Sequence, residues 1–456
     1  MTATPHILNE LRQTFASHKT RSFEWRRGQL LGLKAMIEEN ETDILDALHT
    51  DLGKSGFESR MSEAGPVLGE ISHVVGQLKR WMRPRKVSTP VTNQPGRSMI
   101  VAEPLGVALI IAPWNYPFYL TAMPLIGAIA AGNCAILKPS EISPATSKML
   151  ARLIPAYLDP AAIRVVEGGV EATTGLLAER FDHIFFTGSE SVGKIVMTAA
   201  ARHLTPVTLE LGGKSPCIVE PDCDLELAAR RVAWGKFLNA GQTCIAPDYV
   251  LAHDTVADEL VDRLETSIRA FFGDDPKTSP DYPRLVSDKH FDRVSELMSG
   301  ATIAVGGETD RAARYIAPTV LTGVDADADI MRQEIFGPLL PVIRYGSIDE
   351  AIGFINARPK PLSLYLFSNS APARDQVLAQ TSSGSVCIND AVMQVAVPEL
   401  PFGGVGASGM GAYHGRASFD TFSHAKSVLT KSEWFDLPLR YPPFSRTKLR
   451  WLKRFQ

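Results

Sequence analysis

Cysteine is scarce in this chain: five among 456 residues, at 134, 217, 223, 244 and 387. That density excludes a disulfide scaffold. The count is odd, and no two of them share the C-x-x-C spacing of a metal or redox site. A reducing, cytoplasmic setting is expected, with most of these thiols serving as packing residues and no metal bound. An excess of charge of either sign is also missing, since 47 basic and 50 acidic residues leave −3. Nucleic-acid binding rests on a basic surplus, so no nucleic-acid partner is expected. Met1 to Arg12 has no apolar core behind positive charge, so it does not read as a secretory leader. One uncharged run is long, from Pro104 to Leu137. Pro113, Pro117 and Pro124 break it, and Gly106, Gly127 and Gly132 punctuate it. In lipid those breaks would leave backbone groups unpaired, so the run reads as buried strand, loop and buried helix. No fixed-period repeat and no low-complexity tract occurs.

What is present is ordinary globular material, 45% hydrophobic and 21% charged. At roughly 150 residues per domain the length suggests about three domains. Leu8, Leu11 and Phe15, then Leu30, Leu33, Met36 and Ile37, recur at helical spacing, and a third helical stretch covers Met61 to Met82. The Pro- and Thr-rich piece 84–97 reads as extended. Short apolar strands then alternate with helices: strands at 107–112, 134–138, 163–166 and 183–187, helices at 123–131, 144–157, 175–180 and 192–202. A second such series follows Val207. Alternation of this kind implies βαβ units around a parallel sheet. The charged stretch 273–281 reads as mobile, and the residues after 428 read as an appended tail.

Six segments carry possible chemistry. In Phe185 to Lys194 a strand runs into a Gly-containing turn and a helix, a setting whose N–H groups suit a pyrophosphate. The spacing imitates a P-loop, but Ile195 stands where a magnesium-binding Ser or Thr belongs. The segment alone fits a structural turn equally well. Lys138 and Glu141 follow a buried strand, where ligands of α/β sheets bind. They suit ribose hydroxyls, and the charge of Glu141 opposes a 2′-phosphate; the alternative is a helix start capped by Ser140. Cys244 follows small and polar residues, Asn239 to Thr243, on a Gly-containing loop, which suits a nucleophile. Glu210 stands in an apolar run before Gly212-Gly213. Burial would raise its pKa and fit it for general-base work, unless a buried Lys or Arg pairs with it. Asn115, in a proline-braced aromatic loop, could donate to an oxyanion or simply bond its own turn. Last, Glu334 to Pro338 and Pro401 to Gly406 are loops where glycine allows close backbone approach, with Phe402 as a pocket wall.

Together these segments resemble the aldehyde dehydrogenase superfamily, in particular its shorter, class 3-like (fatty-aldehyde type) branch. The resemblance runs from about residue 8 to 428. It is carried by PWNYP at 113–117, KPSE at 138–141, FTGS at 186–189, LELGGKSP at 209–216, GQTC at 241–244, EIFGP at 334–338 and PFGGVGASGMG at 401–411. The closing Gly411 to Gly415, and the absence of a fifty-residue N-terminal extension, match the class 3-like branch.

The resemblance implies an α/β fold with a Rossmann-like cofactor domain (1–83 and 104–208), an α/β catalytic domain (209–395) and a small β oligomerisation flap (84–103 with 396–428), followed by a tail at 429–456. It implies NAD, with NADP as the alternative, and a homodimer. Cys244 would form a thiohemiacetal and then, after hydride transfer to the nicotinamide, a thioester. Asn115 with the Cys244 N–H would hold the oxyanion, and Glu210 would activate water. Lys138 and Glu141 would bind the adenosine ribose. Gly188, Ser189, Gly193, Leu211 and Trp114 would neighbour the cofactor, and Glu334 and Phe336 would place the nicotinamide ribose. Tyr116 and Phe402 suggest an apolar or aromatic aldehyde. An acylating enzyme that passes the acyl group to coenzyme A is the rival, disfavoured by Glu210; a catalytically silent relative is disfavoured by the intact Cys244, Glu210 and Asn115. In the tail, residues 446–456 interleave Leu449, Leu452 and Phe455 with basic residues; a solvated or dimer-packed tail is the plainer reading, and contact with an anionic membrane surface the alternative.

Overall fold

A computed structural model describes residues 4–453. The N-terminal helices Thr4–Ala16, Phe23–Glu39, Glu41–Leu52 and Gly65–Trp81 follow the apolar spacing. Ser22 caps the second by accepting from the Trp25 N–H at 3.1 Å. Its Leu30, Leu33, Met36 and Ile37 are fully buried. Each such side chain contributes roughly 1.5–3 kcal/mol of burial. They pack towards the helices Tyr119–Ala131 and Pro144–Tyr157. The first of these is buried along all thirteen residues, which explains the uncharged run: it is a core helix. It begins four residues before the expected start. The second starts at Pro144, and its first N–H groups are taken by Asp51, which accepts from Ala145 and Thr146 at 3.0 and 2.8 Å. Ser140 is therefore not the helix cap; its hydroxyl accepts only from the Ile142 N–H.

Two sheets organise the rest. The six-stranded sheet runs Gly409–Met410, Val207–Leu211, His183–Gly188, Val107–Ile111, Cys134–Lys138, Ile163–Val165, all parallel except the first. From Val107–Ile111 the chain winds outward to one side, then returns to add His183–Gly188 on the other. That reversal opens a crevice at the carboxyl ends of these two strands, where ligands of α/β sheets bind. Val207–Leu211 is one unbroken strand of this sheet, so the expected boundary at 208 falls inside a strand; the chain leaves the sheet at Gly212. The seven-stranded sheet runs Thr302–Val305, Thr319–Thr322, Leu339–Tyr345, Tyr249–His253, Pro216–Val219, Ser363–Phe367, Ser385–Ile388, with only its first strand antiparallel.

A three-stranded antiparallel sheet joins Arg85–Val87, Gly96–Pro104 and Ser423–Lys431. Nine consecutive residue pairs, from Ser423↔Pro104 to Lys431↔Gly96, carry this ribbon past the expected end of the flap at 428. Residues 396–422 do not join it. They wrap the edge of the six-stranded sheet, where Gly409 pairs with Glu210, and their helix Gly415–Thr421 packs on Tyr119–Ala131. The stretch 273–281 is a series of turns fastened by Lys277 to Asp310 at 2.8 Å and by Arg284 to the Lys277 carbonyl at 2.6 Å. The expected helix at 175–180 lies earlier, at Val170–Leu177. In the tail, Arg446–Leu452 is helical, with Leu449, Trp451 and Leu452 about half exposed. Phe455 and the other residues beyond 453 lie outside the described part. No described helix is long and apolar enough to cross a membrane.

Candidate active site

Two cavities approach one sulfur. The first, about 1200 Å³ including its open mouth, lies at the crevice of the six-stranded sheet. Trp114, Gly188, Ser189, Glu210, Glu334 and Phe336 are among its walls. The second, about 900 Å³ on the same measure, is walled almost wholly by apolar side chains, including Tyr116, Tyr119, Trp234, Phe402 and Tyr413. Among the described residues, Cys244 is the one that lines both.

The cysteine is presented by a strained loop. After the helix Leu225–Phe237, the residues Asn239, Ala240 and Gly241 take φ of 52°, 50° and 73°. Left-handed backbone at two non-glycine positions is costly and persists only where surroundings enforce it. Gly241 meets the Gly337 carbonyl so closely that no side chain would fit there. The loop is held from within: Gln242 donates to the carbonyls of Asn239 and Arg284, both at 3.0 Å, and accepts from the Val286 N–H. Asn115 joins in, donating through Nδ2 to the Gln242 carbonyl at 3.0 Å. It therefore reaches across to the cysteine loop rather than bonding its own turn.

Burial, and next the charges of Glu334 and Glu210, push the Cys244 thiol well above its ordinary value; its own N–H and that of Ile245 pull the other way. Glu210 sits on Val207–Leu211 in register with Thr187. It is buried, and neither of its carboxylate oxygens has a hydrogen-bond partner among the described residues. No Lys or Arg pairs with it, and burial holds its pKa far above the usual carboxylate range. Glu334 is pushed up to about 8 by burial and then by Asp248, against the Gly213 N–H. Its loop is clamped by Asp248, which accepts from the Ile335 N–H at 3.0 Å, by Lys214, which donates to the carbonyls of Ile330 and Gln333, and by Arg293, which donates to those of Glu334 and Ile335.

The residues present fit a dinucleotide. Thr187 Oγ1, both oxygens of Glu210 and one of Glu334 are buried polar atoms without partners on this cavity wall. The helix Glu190–Ala201 starts at its edge, with Ser189 as cap, and a helix start favours a phosphate. Trp114 lies edge-on to Phe336, ring centres 5.3 Å apart, and 4.7 Å from His290. Gly193 lies against Leu211, where a side chain would collide; it packs the helix on the strand and does not line the cavity. Ile195 is exposed on that helix, away from any magnesium-binding role. Lys138 and Glu141 also stand off the cavity wall. Lys138 is buried at the end of Cys134–Lys138 and donates to Pro139 O at 2.7 Å and Glu141 Oε2 at 3.3 Å.

Several site residues carried no local signal. Tyr119, Trp234, Leu238, Val392 and Tyr413 line the apolar cavity from four separate segments. His290 and Arg293 line the other. Their helical or apolar contexts read as core, and only the tertiary fold converges them.

A crevice at the switch point of a parallel sheet, opening onto a cysteine carried by a second α/β unit, suits a nicotinamide-dinucleotide oxidoreductase. The aldehyde dehydrogenase family profile matches residues 3–428. Rat aldehyde dehydrogenase family 3 member A2 is 51% identical over 450 residues, 98% of this chain and 93% of that protein. The rat dimeric NADP-preferring aldehyde dehydrogenase is 51% identical over 445 residues, covering 97% and 98%. A solved structure of Staphylococcus aureus AldH in a substrate-bound state superimposes with a TM-score of 0.97 at 47% identity, covering all of both chains. The chain belongs to the aldehyde dehydrogenase family, and its activity is the NAD(P)-dependent oxidation of aldehydes.

Proposed function

We propose that Cys244 is the nucleophile, Asn115 the oxyanion donor and Glu210 the deacylation base, and that the substrates are apolar long-chain or aromatic aldehydes. The observation that carries this reading is the position of Cys244 as the single wall shared by an apolar cavity and a polar, partner-poor one. An aldehyde enters through the apolar cavity, where Tyr116 and Phe402 favour hydrocarbon over charge. The Cys244 thiolate adds to the carbonyl carbon, and the Asn115 amide with the Cys244 N–H receives the negative oxygen. Bound in the polar cavity, the dinucleotide supplies the acceptor for the hydride that leaves this carbon. The thioester left on Cys244 is hydrolysed by water that gives its proton to Glu210, releasing the acid and the thiolate. A carboxylate that nothing else engages is available for that proton, which supports hydrolysis over transfer to coenzyme A.

Thr187, Ser189, Glu334 and Phe336 would hold the dinucleotide, and Lys138 with Glu141 its adenosine ribose. The three-stranded sheet, with its outer strand Ser423–Lys431 unpaired on one side, would form the homodimer contact. The half-exposed Leu449, Trp451 and Leu452 among basic residues would place the tail against the partner or an anionic membrane surface.

An aldehyde panel run with NAD and NADP in parallel tests the reading. Absorbance of the reduced nucleotide should rise with long-chain and aromatic aldehydes, and Cys244→Ala should abolish it. Turnover by Cys244→Ala, or a preference for small charged aldehydes, would reject it. Liposome co-sedimentation with and without residues 446–456 tests the tail.

A further inference from the structure

We infer that the buried ion pair Lys54–Glu63 positions the oxyanion donor, and so sets the rate of the enzyme without touching substrate; the inference rests on the role given to Asn115 above. Both side chains are fully buried, with Nζ 2.6 Å from Oε1. A buried pair of this kind returns little net stability, because desolvation consumes most of the attraction. Its geometry points to a second use. Lys54 also donates to the Asn115 carbonyl at 3.1 Å, and its ammonium lies 3.9 Å over the Tyr116 ring. The other oxygen of Glu63 accepts from the N–H groups of Phe118 and Tyr119 at 2.9 and 3.2 Å. One ion pair thus grips the loop at Asn115 itself and again three and four residues further on, at Phe118 and Tyr119. Glu63 faces inward from a wide π-helical turn, Arg60–Ala64, a distortion often found at functional sites.

The same segment reaches the cysteine loop. Glu58 accepts from the Asn239 N–H at 2.9 Å, and Asn239 Nδ2 donates to the Asn115 and Gln242 carbonyls at 2.8 and 3.1 Å. Residues 54–63 are therefore the common seat of the amide that receives the oxyanion and of the strained turn that presents the sulfur. Neither Lys54 nor Glu63 lines either of the two cavities at Cys244. They act through Asn115, as positioning residues. A donor must stand where the oxyanion will form, and a loop loosened from this seat no longer keeps it there.

The test is the charge-free double variant K54M/E63Q, since either charge left alone would be buried without a partner. Thermal melting and NADH binding, followed by fluorescence, should stay near the parent. The kcat and the pre-steady-state burst rate should fall about 10- to 100-fold, the scale expected for a misplacement of roughly 1 Å, with KM for NAD unchanged. Glu63→Gln alone keeps the shape but leaves the Lys54 charge buried beside a neutral amide, and should lose kcat at least as far with a lower melting temperature. A folded variant of either sort with parental kcat and burst overturns the inference. Asn115→Ala serves as the control: parental turnover there would remove the oxyanion assignment itself, whereas a slow Asn115→Ala beside a fast double variant removes only the positioning role.

Discussion

The hydroxyls of Tyr116 and Thr243 lie 2.7 Å apart. This contact ties the loop that carries Asn115 to the residue next to Cys244, beneath the apolar cavity that both side chains line. Tyr116→Phe removes the strut and leaves the ring. A loss of about 1 kcal/mol in unfolding free energy is expected, typical of one buried hydrogen bond, together with a lower kcat. A double-mutant cycle with Thr243→Val measures the coupling; strictly additive effects would show that the strut is idle.

Glu210→Gln should keep the burst of NADH and lose steady-state turnover, because the first hydride transfer precedes the need for a base. Stopped-flow absorbance separates the two phases. In the parent, burial holds the Glu210 carboxyl protonated to unusually high pH, and only its ionised form can act as base. The Cys244 thiol is raised as well. Both shifts have one sign, so kcat should climb with pH through neutrality into the alkaline range. A kcat that falls across that interval would contradict the assignment.

Glu70 offers a test in stability. Its carboxyl is buried and accepts from the Gly415 N–H at 2.7 Å, yet burial pushes its pKa up from the ordinary carboxylate range to about 7. The folded state thus keeps a proton that the unfolded chain has released. The stabilisation is complete below the unfolded value and is lost as pH rises through about 7. Its full size is on the order of 3 kcal/mol. Glu70→Gln should flatten the decline in melting temperature between pH 5 and 8; an unchanged slope would assign the decline to other groups.

Glu141→Gln should raise kcat/KM with NADP relative to NAD. Removing one partly exposed negative charge near a 2′-phosphate is worth roughly 1 kcal/mol, about fivefold. Paired assays with the two coenzymes measure the ratio, and no change would place Glu141 away from the ribose.

Gly127→Ala tests the packing under the site. A methyl group there would come within 2.8 Å of Ser418 Cβ and 3.0 Å of Phe422 Cδ2. The helices Tyr119–Ala131 and Gly415–Thr421 would have to separate. Overpacking of this kind costs about 1–3 kcal/mol, readable in urea unfolding.

Much of this was legible in the sequence where one segment carries its own physics. Alternating strands and helices gave the parallel sheet, and Cys244 differs from the other thiols because small, polar neighbours precede it. Other features were hidden because they are relations between distant segments. Lys54, Glu58 and Glu63 belong to no motif, and only the fold shows them beneath Asn115 and Asn239. The left-handed turn at 239–241 has a local signal in Asn239 and Gly241, which tolerate that backbone, but Ala240 has no local reason to adopt it. The wall of the apolar cavity is scattered from Met61 to Tyr413. The strand Ser423–Lys431 ran past its expected end because its partner, Gly96–Pro104, lies more than 300 residues earlier.

Among the described residues Cys244 alone walls both cavities, so the proposed assignment gives aldehyde and nucleotide separate lanes to the sulfur. An oily molecule lodged beside Tyr116 and Phe402 blocks the aldehyde but leaves the nucleotide's path open. Such an inhibitor should compete with aldehyde and act noncompetitively against NAD. On the same assignment, spent coenzyme would leave by its own lane while the acyl chain is still attached to sulfur.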